Sequence, residues 1–209
     1  LWFVQIANSN QLQIKTGSFE GITGNAAFNS NRSRRYFLEK RWEQGGKILT
    51  AIMMNPSNAA HNKSDKTVDQ LINVARNQSC HALYVVNVSS VIDGSSSNLN
   101  TSKFAYDPIN WSFITGAISE AKIVFIGWGL KGHNGILMQQ KSNPSIINTF
   151  RNALNKTYCY EVLKSTDKKY VNKPLHYVPH PRPLYEQDKY IDVEIQKLND
   201  FEFTRLFIR

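Results

Sequence analysis

Ile48-Leu49-Thr50-Ala51-Ile52-Met53-Met54-Asn55-Pro56 sets the architecture of this chain. An almost unbroken apolar run that stops at a proline is the pattern of a strand buried on both faces of a parallel sheet, ended where the ring removes a backbone donor. Working outward from it, the pattern repeats. Asp65 to Asn77 predicts a helix, with Val68, Leu71, Ile72 and Ala75 on one stripe. Ala82 to Val88 predicts a second buried strand, Pro108 to Ala121 a helix entered through Asp107, and Lys122 to Gly127 a third strand leading to Trp128-Gly129. Pro144 to Leu154 predicts a helix with Asn143 as its cap, Thr157 to Leu163 a fourth strand, and Tyr190 to Phe201 a final amphipathic helix. Upstream, Tyr36 to Arg41 reads as a short strand or turn ending near Trp42. Residues 1–35, rich in Asn, Ser and Gly, read as an antiparallel edge or an irregular layer on the main domain. Alternating strands and helices predict a single α/β domain over residues 1–209, a three-layer α/β/α sandwich around a central, mostly parallel four-stranded sheet.

Composition narrows the function classes. With 209 residues and 41% hydrophobic content, the chain can bury a full core. It holds no apolar run long enough to cross a membrane and shows no secretory signal pattern. Cys80 and Cys159 match no metal or redox spacing and are expected as reduced core thiols of a cytoplasmic protein. His61, His81 and His176 lack the spacing of metal ligands, so neither metal nor cofactor is expected. Basic residues outnumber acidic ones 25 to 16, a net charge of +9, which favours a polyanionic partner. One basic cluster is Arg32, Arg34, Arg35, Lys40 and Arg41; a second is Lys164, Lys168, Lys169 and Lys173.

The polar residues that matter most follow the predicted strands. Asn55-Pro56-Ser57 follows the first, Asn87 closes the second, Trp128-Gly129 follows the third, and His180-Pro181-Arg182-Pro183-Leu184 comes after the fourth. Ligands of open parallel sheets bind beyond the carboxyl ends of the strands, so these four segments are expected to converge. Each also has a plainer reading. Asn55-Pro56 reads as a turn, Asn87 as a side chain satisfying backbone groups, Trp128 as core, Asp65 as a helix N-cap and His133 as a loop residue.

The ordered set Met54-Asn55-Pro56-Ser57, Val85-Val86-Asn87-Val88, Trp128-Gly129 and His180 to Leu184 resembles the uracil-DNA glycosylase superfamily, whose closing His-Pro-Ser-Pro-Leu is met here at four of five positions. Arg35-Tyr36, Trp42, Asn55-Pro56-Ser57, Asp65-Lys66-Thr67 and His180-Pro181 resemble more closely an uncharacterised bacterial and phage family. The resemblance implies a glycosylase-like fold and a DNA glycosylase-like enzyme that hydrolyses the N-glycosidic bond of a flipped-out base, in repair or in phage defence, with DNA as partner. It implies Asn55 and His180 as catalytic residues, positioning water and donating to the leaving base. Asn87, Pro56, Ser57 and Trp128 would hold the base, and Arg182, Leu184, Lys63 and Lys66 the DNA, with Asp65 and Thr67 as secondary candidates. Departures are the asparagine at 55 where active uracil enzymes carry aspartate, Arg182 in place of serine, and a long stretch over 129–143. They point away from uracil and toward another modified pyrimidine, a phage-modified base included. A catalytically silent DNA-binding module and a nucleoside or nucleotide hydrolase are the alternatives.

Overall fold

The apolar run forms a six-residue strand buried along its whole length, and the remaining elements are arranged around it. The structure, a computed structural model, describes residues 1–95, 98–160, 177–181 and 193–207. The chain opens with α1 (Trp2–Ser9), then β1 (Gln13–Phe19), β2 (Ile22–Phe28), β3 (Arg35–Arg41) and β4 (Ile48–Met53). α2 (Lys66–Asn77), β5 (Ala82–Asn87), α3 (Pro108–Glu120), β6 (Ile123–Ile126), α4 (Gly129–Ser142) and α5 (Ile146–Asn152) follow. β7 (Thr157–Cys159), β8 (Gln196–Lys197) and α6 (Asp200–Phe207) complete the described elements.

These strands form one eight-stranded sheet in the order β1-β2-β3-β5-β4-β6-β7-β8. β4 runs parallel to β5 and to β6, and β6 parallel to β7. β1, β2 and β3 join in antiparallel pairs, with β3 antiparallel to β5, and β8 is antiparallel to β7. This overturns the expected central, mostly parallel four-stranded sheet: the sheet is twice that width, mixed, and antiparallel through its N-terminal half. The physical reason lies in β1 and β2. Gly17, Gly24, Ala26 and Ala27 carry little apolar surface, so their strand state comes from pairing, β1 with β2 and β2 with β3, and not from a pattern of their own.

Other boundaries move as well. The stretch over 129–143, expected as an irregular insertion, is helix α4, and His133 is buried in it, not set on a loop. Asn143 ends α4, and α5 starts two residues later than the expected helix, after Ser145. The expected helix from Tyr190 to Phe201 is replaced, over its described part, by β8 and the start of α6. Of the expected strand to Leu163, Thr157 to Cys159 is strand, and residues 161–163 lie outside the described set. Cys80 and Cys159 are separate buried thiols.

Side chains alternate across the pleat, so each strand feeds two cores. One face carries Ile52, Tyr84, Val86, Val124 and Ile126 and is covered by α1, α3, α4, α5 and α6. The other carries Leu49, Ala51, Met53, Leu83, Val85 and Phe125 and is covered by the apolar stripe Val68, Leu71, Ile72 and Ala75 of α2. Beyond α2, on that second face, residues 55–65 cross β3 and β2 as an irregular strap. No helix of the described residues is long and apolar enough to cross a membrane.

Candidate functional site

Asn87 is the last residue of β5 and is level with Met53 of β4. The amide of Gly127, just after β6, donates to the Ile52 carbonyl at 3.0 Å, which brings the ends of three strands to one line. By alternation, Asn87 faces the side of Val85, Met53 and α2. It is 1% exposed, and neither its Nδ2 nor its Oδ1 has a hydrogen-bond partner among the described residues. A buried amide left unpaired costs about 1–3 kcal/mol per group. Its backbone is fixed independently: Asn110 of α3 donates from Nδ2 to the Asn87 carbonyl at 2.8 Å and to that of Val88 at 3.3 Å.

Asn55 stands at the end of β4. Its Nδ2 donates to the carbonyls of Asp93, at 2.8 Å, and Pro56, at 3.0 Å, which closes the loop after β5 onto the loop after β4. The amide nitrogen is therefore committed, and Oδ1 is the atom Asn55 has for a water or a ligand. Pro56 is buried beneath this junction. Ser57 is turned toward Asp65, to whose carboxylate it hydrogen-bonds.

Asp65 organises the strap. Its Oδ1 caps α2 by accepting from the amides of Thr67 and Val68, both at 3.0 Å, and its Oδ2 accepts from the Ala59 amide at 3.0 Å. Burial alone would raise this carboxyl. The bonds from Ser57, Val68 and Ala59, with the Arg35 guanidinium nearby, outweigh it and hold Asp65 below the usual carboxylate range. Thr67 contributes its amide to this cap, and Lys63 and Lys66 are exposed.

The histidine loop docks on the end of β6. Pro181 lies against Gly127, where a Cβ would come within 3.1 Å of the ring, and His180 sits half-buried beside Gly129. Gly129 has φ +62°, a left-handed conformation natural to glycine, and a Cβ there would lie 3.3 Å from that of His180. His180 thus reaches the same edge as Asn87 and Asn55. Trp128 does not line it. That indole is fully buried on the opposite face, edge-on to Phe150 and Phe207. Arg182 and Leu184 lie outside the described residues.

Two residues of the site's support escape a reading of sequence alone. The cluster Arg32, Arg34, Arg35, Lys40 and Arg41 reads as surface charge, yet Arg35 and Lys40 are each 1% exposed. Arg35 donates from Nη1 to the Ala59 carbonyl, and Lys40 from Nζ to the carbonyls of Lys63, at 2.9 Å, and His61, at 3.5 Å. Burial draws the Arg35 guanidinium down to about 10, against the pull of Asp65. Burial, and then Arg35, also lower Lys40, while Asp69 and Asp65 raise it. Two buried cations therefore hold the strap by its backbone oxygens. The signal available beforehand was the alternation Leu38, Lys40, which places the lysine on a core face.

Among the described residues, no group of three His, Cys, Asp or Glu side chains could hold a metal ion. An open hollow of about 540 Å³, lined by residues such as Arg151, Leu154, Lys197 and Asp200, lies at the amino end of β7, away from the edge that carries Asn87.

These features define a mixed α/β protein with a polar site where its parallel strands end. The chain belongs to the family described as "Protein of unknown function (DUF1643)", whose model matches residues 35–175, from the start of β3 onward. No curated protein matches it. Among solved structures it is similar to an acetyl xylan esterase from Paenibacillus sp. R4, at 12% identity and a TM-score of 0.32, over 68% of this chain and 54% of that one. The chain thus spans about half the length of that structure.

Proposed function

We propose that this protein recognises a nucleobase at the carboxyl edge of its sheet and hydrolyses the N-glycosidic bond that holds it. The observation that carries this reading is Asn87, buried with both amide atoms unpartnered among the described residues. An amide offers one donor and one acceptor side by side, the complement of a pyrimidine edge that presents an N–H next to a carbonyl. The net charge of +9 suits a polyanionic substrate. The ordered motifs at Asn55, Asn87 and His180 resemble those of uracil-DNA glycosylases.

In this reading the bond between the sugar C1′ and the base nitrogen breaks, and its electron pair leaves with the base. His180 hydrogen-bonds to the departing base, and Asn55 Oδ1 orients the water that adds to C1′ and then loses a proton to solvent. An amide is no general base, so positioning and electrostatics supply most of the rate. Since Asn87 is enclosed, a base reaches it only as the segments above it part, and the base must also leave its stack, at a few kcal/mol.

One observation favours a second reading, a module that binds a flipped base without cleaving it. The carboxylates described near this edge are committed, Asp65 to the α2 cap and Asp93 to Lys103 at 3.3 Å. Oligonucleotides carrying uracil and other modified pyrimidines, incubated with the protein and then treated with alkali, test both. Strand breaks at one modified base, lost in Asn87→Leu and His180→Ala, are the expected result. Base-selective binding without breaks selects the second reading. No breaks and no base-selective binding overturn both.

A further inference from the structure

The strap and the first hairpin form a basic face that the base site does not use. Gly17 of β1, Gly24 of β2 and Lys40 of β3 are cross-strand neighbours in one row. The strap lies directly on this row: a Cβ at Gly24 would meet the His61 carbonyl oxygen at 2.2 Å, and one at Gly17 would meet the His61 ring at 3.0 Å. Lys15, two residues from Gly17 on the same strand, projects to the same face. Arg32, in the turn between β2 and β3, and Lys63, on the strap, are exposed. The charges that act on His61 are Arg32, Lys40 and Lys15, with no carboxylate among them; burial first, and then these cations, hold its imidazole below the usual range. The nearest acids lie toward α2 and are occupied, Asp65 as cap and Asp69 as acceptor from Ser64 at 2.5 Å.

Position gives this face a partner. From Asn87 to Gly24 is two strand spacings across and four residues back, roughly 16 Å at about 4.8 Å per strand and 3.3 Å per residue. Laid along a duplex axis, at about 3.4 Å per base pair, that is the length of about five base pairs. We propose that Lys15, Arg32 and Lys63, displayed by the strap and the first hairpin, form a phosphate-binding face that grips the DNA backbone beside a base held at Asn87. This rests on the nucleic-acid reading above and adds the N-terminal strands to it.

Fluorescence anisotropy with a labelled unmodified duplex of about 24 base pairs, titrated over a range of salt, tests the face. The combined variant Lys15→Gln, Arg32→Gln, Lys63→Gln is expected to bind at least tenfold more weakly and to lower the slope of log affinity against log salt by about 2 to 3. The variant Lys122→Gln, Lys141→Gln, Lys197→Gln makes the same change in net charge on exposed residues elsewhere and is expected to lose far less. Should Lys15→Gln disturb β1, the exposed pair Arg32→Gln, Lys63→Gln carries the test with a slope loss of about 2. Equal losses in the two charge sets, no loss in the first, or no DNA binding by the wild type overturns the proposal. Asn87→Leu, measured alongside, separates the two claims. It removes base-dependent breakage or binding and leaves the salt slope, so either claim can fail without the other.

Discussion

β4, β5 and β3 belong to one sheet and are buried to the same degree, but what they bury differs. β4 and β5 present mostly Leu, Ile, Val and Ala to two apolar cores; Thr50 within β4 is bonded to the Ala117 carbonyl, and Asn87 stands at the end of β5. β3 places Arg35 and Lys40 inside, where they bind carbonyls of the strap. The first arrangement makes an apolar platform with, among the described residues, an unpaired amide at its carboxyl edge. The second sacrifices apolar burial to fasten an irregular segment that no helix or strand ladder could hold, because its backbone oxygens need donors from elsewhere. Rigid support and a tailored loop are thus separate tasks, assigned to the parallel and antiparallel halves of the sheet.

Removing a clamp from β3 tests that division most severely. Arg35→Ala leaves the Ala59 carbonyl and Asp65 without their cation, and is expected to lower unfolding free energy by about 3 kcal/mol in urea titrations. Amide exchange should rise at residues 58–64 and stay slow in β4 and β5; uniform acceleration would show that the halves are not separable. Next, Asn87→Leu changes the platform at its edge. Activity on a modified base should fall about 100-fold, while the melting temperature holds or rises because an unpaired buried amide is gone. A clear drop in melting temperature would make Asn87 a structural residue and erase the contrast with β3.

Gly24→Ala sets a methyl group against the His61 carbonyl and should lift the strap at about 2 kcal/mol, read by thermal melting and by the same exchange pattern at 58–64. Asp65→Asn has the smallest effect, about 1 kcal/mol at neutral pH, since asparagine still caps a helix. Its pH dependence is diagnostic. A carboxyl held low in the folded state contributes fully above its unfolded value of about 3.9, and that contribution is lost as pH falls through the lower folded value. Wild type and Asp65→Asn should therefore converge in stability as acid is added; a constant gap would mean that the carboxylate charge is not what ties the strap.

Much of the parallel half was legible in advance. Ile48 to Met53, Ala82 to Asn87 and Ile123 to Ile126 are strands because uninterrupted apolar runs of that length have few other places to go. The cap pairs Asp65 with α2 and Asp107 with Pro108 announced two helix starts. The antiparallel half was legible only in outline: residues 1–35 read as an antiparallel edge or an irregular layer and Tyr36 to Arg41 as a strand or turn, without their strands or pairing. Glycine, alanine and asparagine in β1 and β2 are weak strand formers, and β8 has two residues, too few for any pattern. α4 was hidden by Gly129, Gly132 and Gly135, which read as loop but admit Trp128 and Phe104 against the helix. For the candidate site, strand-end position singled out Asn55, Asn87 and His180, whereas Trp128 followed the same rule and fell on the opposite face, because a residue's distance past a strand end does not fix its side.

The amino-acid sequence by itself determined which segments must be buried, where the strands stop and which polar residues stand at those stops, since burial and termination are local consequences of apolar runs, prolines and caps. Only the tertiary structure decided that Arg35 and Lys40 are interior cations and that Asn87 is a buried amide without a partner among the described residues while Asn55 is half spent on a loop. Local pattern reports how a residue faces its own strand. Whether a charge or an amide finds a partner depends on which distant carbonyl the fold brings within about 3 Å.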